Sequence, residues 1–178
     1  MKLKYILNEV SLKNKENKEL PLLGVNKDKQ FMPSIANVIG TDLKTYKIVK
    51  KGEFCCNLQH VDRDELVPIS MLDNYEEALV SPSYNVFKVN QNVNILKEYL
   101  LLCFKRSEFD RNAWYLSGSS IRGNLPLENF LEIDIPVPSI ERQYKIVEEY
   151  NVIQNRIIIK ETINNNLLFR CSFNQCYF

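Results

Sequence analysis

Apolar positions along this chain follow two regimes that meet at Pro136-Val137-Pro138. Before those prolines the pattern is short and often interrupted. A brief apolar segment, Leu3 to Val10, precedes a polar stretch from Lys13 to Glu19. Leu20 to Val25 predicts a short strand, which Pro21 pushes to a sheet edge because proline cannot donate to a ladder. Tyr46 to Lys50 alternates in part and stops at Lys51-Gly52, a turn signal. Phe54, Cys56 and Leu58 resume the alternation, which predicts a hairpin or a bend between strands. Val80 to Tyr84, around Pro82, marks another turn, and Asn85 to Val89 is a strand rich in branched and aromatic residues. Ile95, Leu96, Tyr99, Leu100, Cys103 and Phe104 recur at helical spacing and predict a helix over 95–106 with one buried face. Ile133, Ile135 and Val137 predict a short last strand.

Beyond the prolines the pattern is helical, with no Gly or Pro from Ser139 to the end. Ser139 stands where an N-cap would, and Glu141 suits the positive end of the helix dipole. Ile146, Tyr150, Ile153 and Ile157 are spaced four, three and four residues apart, an a/d seam that weakens through Lys160 and Asn164 to Leu167. A helix from Ser139 to Leu168 would extend about 45 Å at 1.5 Å per residue. The seam therefore calls for a second helix, from another copy or another protein; a helix folded back on its own domain is the alternative. The expected fold class is α+β: a mixed α/β globular domain with short strands over 1–138, a coiled-coil-forming helix over 139–168, and a tail over 169–178.

Composition narrows this picture. With 178 residues, 45% hydrophobic and 25% charged, the chain suits one soluble domain with a core of its own. No apolar run approaches the ~20 residues that span a bilayer, and the apolar stretch near Met1 is too short for a signal peptide, so cytoplasm is expected and no membrane partner. Cys55, Cys56, Cys103, Cys171 and Cys176 are odd in number and form no C-x-x-C pair, so reduced thiols without a metal are expected. Charge is more telling in its distribution than in its sum of +1. Residues 1–51 hold eleven lysines against five acids, whereas the remainder is net acidic. A basic first third suits a polyanion, although a solvated lysine-rich face would give the same count.

Catalytic constellations are absent from the pattern. His60 is the lone histidine, and the five glycines form neither a dinucleotide fingerprint nor a phosphate loop. Asp62, Asp64, Glu65, Asp73, Glu76 and Glu77 lack the ligand spacing of a calcium loop and read as a solvated acidic stretch. Glu16-Asn17-Lys18 has the form of half a nuclease motif, but no Pro-Asp accompanies it. Neither Asn-Pro-Pro-aromatic nor Asp-Pro-Pro-aromatic, which an amino-methyltransferase requires, is present. No enzyme activity and no cofactor are expected. Binding has better candidates. Arg106 to Leu125 mixes Arg111, Trp114, Ser119, Ser120 and Arg122 around two glycines, as a loop that could hold phosphates and reach guanine edges. Trp114 would serve equally as a core residue. Asn57, Gln59, His60 and Arg63 form a second polar cluster, which could equally be an ordinary polar loop.

These segments, in this order, resemble a known family. Ser117-Gly118-Ser119-Ser120-Ile121-Arg122-Gly123-Asn124-Leu125, then Leu127 to Phe130, then Ile133-Asp134-Ile135-Pro136-Val137-Pro138 leading through Gln143 to Ile146-Val147, is similar to the end of a target-recognition domain from a type I restriction–modification specificity subunit. Tyr46 to Phe54 and Val80 to Phe87 resemble earlier segments of the same domain. The resemblance spans roughly residues 3–165, and the proline-to-Gln-to-Ile-Val passage is its most specific part. It implies a non-catalytic subunit that reads one half of a split site in double-stranded DNA. It also implies a scaffold for DNA adenine methyltransferase subunits, with the restriction (nuclease/translocase) subunit attached through them. Family members normally carry two such domains, whose helices pair as a spacer; one domain and one helix suggest a half-subunit that dimerises, a truncation or an excised piece. A homodimer through Ile146, Tyr150, Ile153 and Ile157 is the expected assembly. Arg122, flanked by Ser119 and Ser120, is the DNA contact the resemblance favours. Lys50 and Lys51 are expected on phosphates, with Asn57, Gln59, His60, Arg63 and Arg111 as further DNA-facing candidates. The competing reading is a protein-interaction adaptor with a helical docking arm and no DNA specificity; an enzyme with an unrecognised site comes third.

Overall fold

A computed structural model describes residues 1–35, 40–59, 61–118 and 123–174, with side chains up to residue 165. It divides into two units, Met1–Val137 and Pro138–Phe178. The first unit opens with α1 (Leu3–Ile6) running straight into β1 (Leu7–Val10). Then come β2 (Leu23–Val25), β3 (Phe31–Pro33), β4 (Lys47–Lys50), β5 (Phe54–Cys56), α2 (Val61–Asp64), β6 (Ile69–Met71), β7 (Glu77–Val80) and β8 (Asn85–Val89). Three helices close it: α3 (Lys97–Phe104), α4 (Ser107–Ser117) and α5 (Leu127–Leu131). The second unit is α6, Ile140–Asn174. The fold is α+β with short strands and a long C-terminal helix.

The strands form an antiparallel sheet in the order β1-β8-β5-β6 and two pairs, β2-β3 and β4-β7. Phe54 sits opposite Met71 on one neighbour and Phe87 on the other, so β5 is an interior strand. Both faces of β5 are covered. Cys55 joins Val49, Leu72, Ala78 and Val86 on one side, while Phe54 meets Phe104 at 5.4 Å on the other. Adjacent cysteines pointing to opposite faces are thus both fully buried. Burial pushes both thiols well above their ordinary values, and they are not reactive thiolates.

An aromatic chain ties the sheet to the helices. Phe104 lies 5.0 Å from Phe109, Phe109 lies 6.3 Å from Phe130, and Phe130 stacks on Phe87 at 5.6 Å. One residue each from α3, α4 and α5 therefore meets the core, which fixes where α4 stands.

Of the two alternatives at Lys51-Gly52, the structure has the bend between strands: β4 pairs with β7, and β5 pairs with β6 and β8. Gly52, at φ +77°, makes that bend. Ile133–Val137 is no strand, because it makes a single antiparallel bridge, Asp134 to Lys2, flanked by hydrogen bonds to Leu3 and Met1. Pro136 and Pro138 lack the N–H groups a longer ladder needs. The segment Arg106–Leu125 is not one loop, since Ser107–Ser117 is helical. Phe109, Ala113 and Ser117, at four-residue spacing, bury one face, and Glu108 and Asp110 suit the first turn.

Within α6, the Ser139 hydroxyl accepts from the Arg142 N–H at 3.4 Å, and the Gln143 side chain is buried with Nε2 on the Pro138 carbonyl at 2.9 Å. The helix runs to Asn174, beyond the expected end at Leu168, as the lack of Gly and Pro there permits. Its 35 residues span about 50 Å at 1.5 Å each.

Candidate nucleic-acid interface

Asp62 organises one corner of the first unit. Its backbone N–H donates to the Gly123 carbonyl at 3.0 Å, and its Oδ1 accepts from Trp114 Nε1 at 3.2 Å. Gly123 stands at φ +67°, and a Cβ there would lie 3.2 Å from the Asp62 Cβ, so glycine suits the position on two counts. Two residues on, the Leu125 N–H donates to the Leu58 carbonyl at 2.9 Å. The segment after Gly123 is therefore pinned beside Leu58 and α2, while Gly118 caps α4 on the other side.

Around that corner stand several sequence-predicted residues. Asn57 Oδ1 accepts from the Gln59 N–H at 2.9 Å, an Asx-type turn that leaves Gln59 exposed. Arg63 on α2 grips Asp64 through Nε at 2.9 Å and Nη2 at 3.1 Å, and the guanidinium has donors beyond those two. Lys27 reaches the same carboxylate at 3.2 Å. Arg63, with Lys27, holds the Asp64 carboxyl down at about 2, and Asp64 in turn raises Arg63. On α4, Arg111 and Tyr115, four residues apart, lie opposite the buried face, and Trp114 stands at its flank. Trp114 is a surface residue, and Tyr115 is 84% exposed.

A buried ion pair holds these elements in register. Lys29, only 6% exposed, places Nζ 2.7 Å from both Asp110 oxygens and donates to the Phe104 carbonyl. Asp110 Oδ1 also accepts from the Val67 N–H at 3.1 Å. The turn between β2 and β3, the segment after α2, and α4 thus meet at one carboxylate. Burial lowers the Lys29 ammonium, and Asp110 works against that shift.

Lys50 and Lys51 are elsewhere. They precede β5, whereas Asn57 follows it, and both face acids: Lys50 lies 3.7 Å from Glu77 and Lys51 lies 2.8 Å from Glu76. Glu76 raises the Lys51 ammonium. The acids of the predicted solvated stretch are thus ion-pair partners in part, and among the described residues no three His, Cys, Asp or Glu side chains gather as metal ligands. His60, Ser119, Ser120 and Arg122 lie outside the described residues. On α6, Ile146 and Tyr150 are half-buried and Ile153 and Ile157 exposed.

Sequence reasoning missed Asp62 as the organising residue, Lys27 and Tyr115. Arg111 and Tyr115 carried a usable signal, since their spacing is that of a helix face. Lys27 and Asp62 carried none, because their partners are distant in the chain.

Residues 4–168 match the family described as Type I restriction modification DNA specificity domain. The chain belongs to this family. Two solved structures share the fold of this specificity domain. One comes from work on complex assembly and conformational transition of the type I R-M system, with a TM-score of 0.52, 13% identity, and coverage of 89% of this chain and 38% of that one. The other is the HsdS subunit from Thermoanaerobacter tengcongensis, with a TM-score of 0.52, 12% identity, and the same 89% and 38%. This specificity domain therefore spans well under half the length of those chains. No curated protein matches its sequence. Among the described residues no helix is long and apolar enough to cross a membrane.

Proposed function

We propose that this DNA specificity domain reads one half of a split duplex site through the surface where α2, the Asn57–Gln59 turn and the exposed face of α4 meet. The observation that carries the reading is the double anchorage of the Gly123–Leu125 segment, with the Asp62 N–H on the Gly123 carbonyl and the Leu125 N–H on the Leu58 carbonyl. It brings the segment that follows Arg122 onto the same corner as Gln59, Arg63 and Trp114. Arg63 and Arg111 would contact phosphate or the O6/N7 edge of guanine, Asn57 and Gln59 adenine edges, and Ser119, Ser120, His60 and Arg122 are kept as candidates from the sequence. Membership of the family supports this over the adaptor reading.

On the same reading the chain is a non-catalytic component acting in the cytoplasm. It scaffolds DNA adenine methyltransferase subunits, with the restriction subunit attached through them, and α6 pairs with a second helix along Ile146, Tyr150, Ile153 and Ile157. Selection from a random duplex library tests it: a recovered consensus supports sequence reading. No consensus, even with the methyltransferase subunit added, would favour the adaptor.

A further inference from the structure

We infer that the domain carries a second DNA contact, a preformed lysine surface that grips the duplex backbone without reading sequence, built by Lys13, Lys15 and Lys44. The inference rests on the reading of the chain as a DNA-binding domain and moves its phosphate contacts away from Lys50 and Lys51.

The polar stretch 13–18 is a fixed turn. Asn14 is fully buried, its Nδ2 donating to the Lys18 carbonyl at 3.1 Å and its Oδ1 accepting from the Lys18 N–H at 2.9 Å. Asn17 completes the turn at φ +53°. Backbone bonds then fasten this turn along β4: Asn14 N–H to the Tyr46 carbonyl at 2.9 Å, and Ile48 N–H to the Leu12 carbonyl at 2.7 Å. Lys13 is thereby placed directly opposite Lys47 at an antiparallel bridge. Lys44 stands in the short helical turn Leu43–Thr45, just before Tyr46. Lysines scattered through the basic first third of the chain are thereby placed along β4, in the turn fastened to it and in the helical turn that precedes it.

The carboxylates near these lysines are engaged by other groups. Lys18 meets Glu77 at 3.5 Å and Glu16 at 3.9 Å, and Lys47 gives its Nζ to the Tyr84 carbonyl at 2.6 Å. Asp42 accepts from the Lys44 backbone N–H at 3.0 Å. By contrast, among the described residues Lys13, Lys15 and Lys44 form no ion pair, and all three are exposed. Lys13, Lys15 and Lys18 also line a cleft of about 190 Å³ together with one carboxylate, Glu16, and with Leu12 and Ile48. The occupant with matching charge is the phosphodiester backbone of duplex DNA, where each neutralised phosphate releases counterions.

The test uses the full chain with a short duplex of arbitrary sequence, titrated between about 50 and 200 mM salt. Lys13→Gln, Lys15→Gln and Lys44→Gln combined should flatten the slope of log affinity against log salt by about two to three units, near one per lysine. The change should weaken binding more than tenfold near 0.1 M salt. Lys50→Gln with Lys51→Gln, whose partners are glutamates, should flatten it by much less. The combined lysine variant should still select the same consensus as the wild type. An unchanged slope overturns the inference and leaves sequence reading standing. A changed consensus also overturns it, by placing these lysines among the base readers. A flattened slope in a protein that selects no consensus sustains the lysine surface and removes the sequence reading.

Discussion

At the scale of single residues, Asp110 and Glu132 answer two different questions. Asp110 is a packing decision. It neutralises a buried lysine and satisfies a backbone N–H, so removing it leaves an uncompensated charge in the interior. Asp110→Ala should cost roughly 3 kcal/mol, read from the urea midpoint, whereas Lys29→Met with Asp110→Leu should recover most of the loss. Glu132 is an electrostatic one. Lys2 and Lys4 hold its carboxyl down from an ordinary 4.5 to about 2. A carboxyl depressed in the folded state stabilises above its unfolded value and loses that contribution as pH falls. The anchorage of the N-terminus should therefore be fully supported above pH 4.5 and lost by about pH 2. In Glu132→Gln this part of the acid dependence of the denaturation midpoint should vanish. Neither residue could be singled out from the sequence, because Lys29 and Lys2 find their partners only after the chain has folded back on itself.

Among the elements, legibility followed the range of the forces. β8 was readable because branched and aromatic residues bounded by a proline turn settle it locally. α3 and α6 were readable from helical spacing, with α6 marked further by Ser139 and the absence of Gly and Pro. α4 was hidden behind its polar composition, since its buried face rests on Phe109, Ala113 and Ser117, two of them small. α2, a four-residue helix, has no period to detect. The strand expected at Ile133–Val137 shows the converse, alternation without the donors to build a ladder. For α6 the exposure of Ile153 at 55% and Ile157 at 43% leaves part of the seam in water. If the helix self-associates as proposed, light scattering should find a dimer, and Ile153→Asp should shift it to monomer; a wild-type monomer unaffected by that change would contradict the seam.

For the whole molecule, the order of segments from Tyr46 to Val147 made the family legible while leaving the binding surface half-seen. Gln59, Arg63 and Arg111 could be named as candidates, but the bonds from Asp62 to Trp114 and Gly123 that bring α2, α4 and the segment after Arg122 to one corner could not be read from the sequence. Lys50 and Lys51 looked equally apt by charge, and their glutamate partners arrive from β7 and the segment before it. Charge counted along a chain cannot register such neutralisation. The central claim is that this corner reads bases. Its most direct test is to repeat the library selection with Gln59→Ala, Arg63→Ala and Arg111→Ala combined, once the variant is shown to be folded. The account predicts a consensus relaxed at one or more positions, each losing about 1–3 kcal/mol of discrimination. Recovery of the wild-type consensus with undiminished discrimination would contradict it.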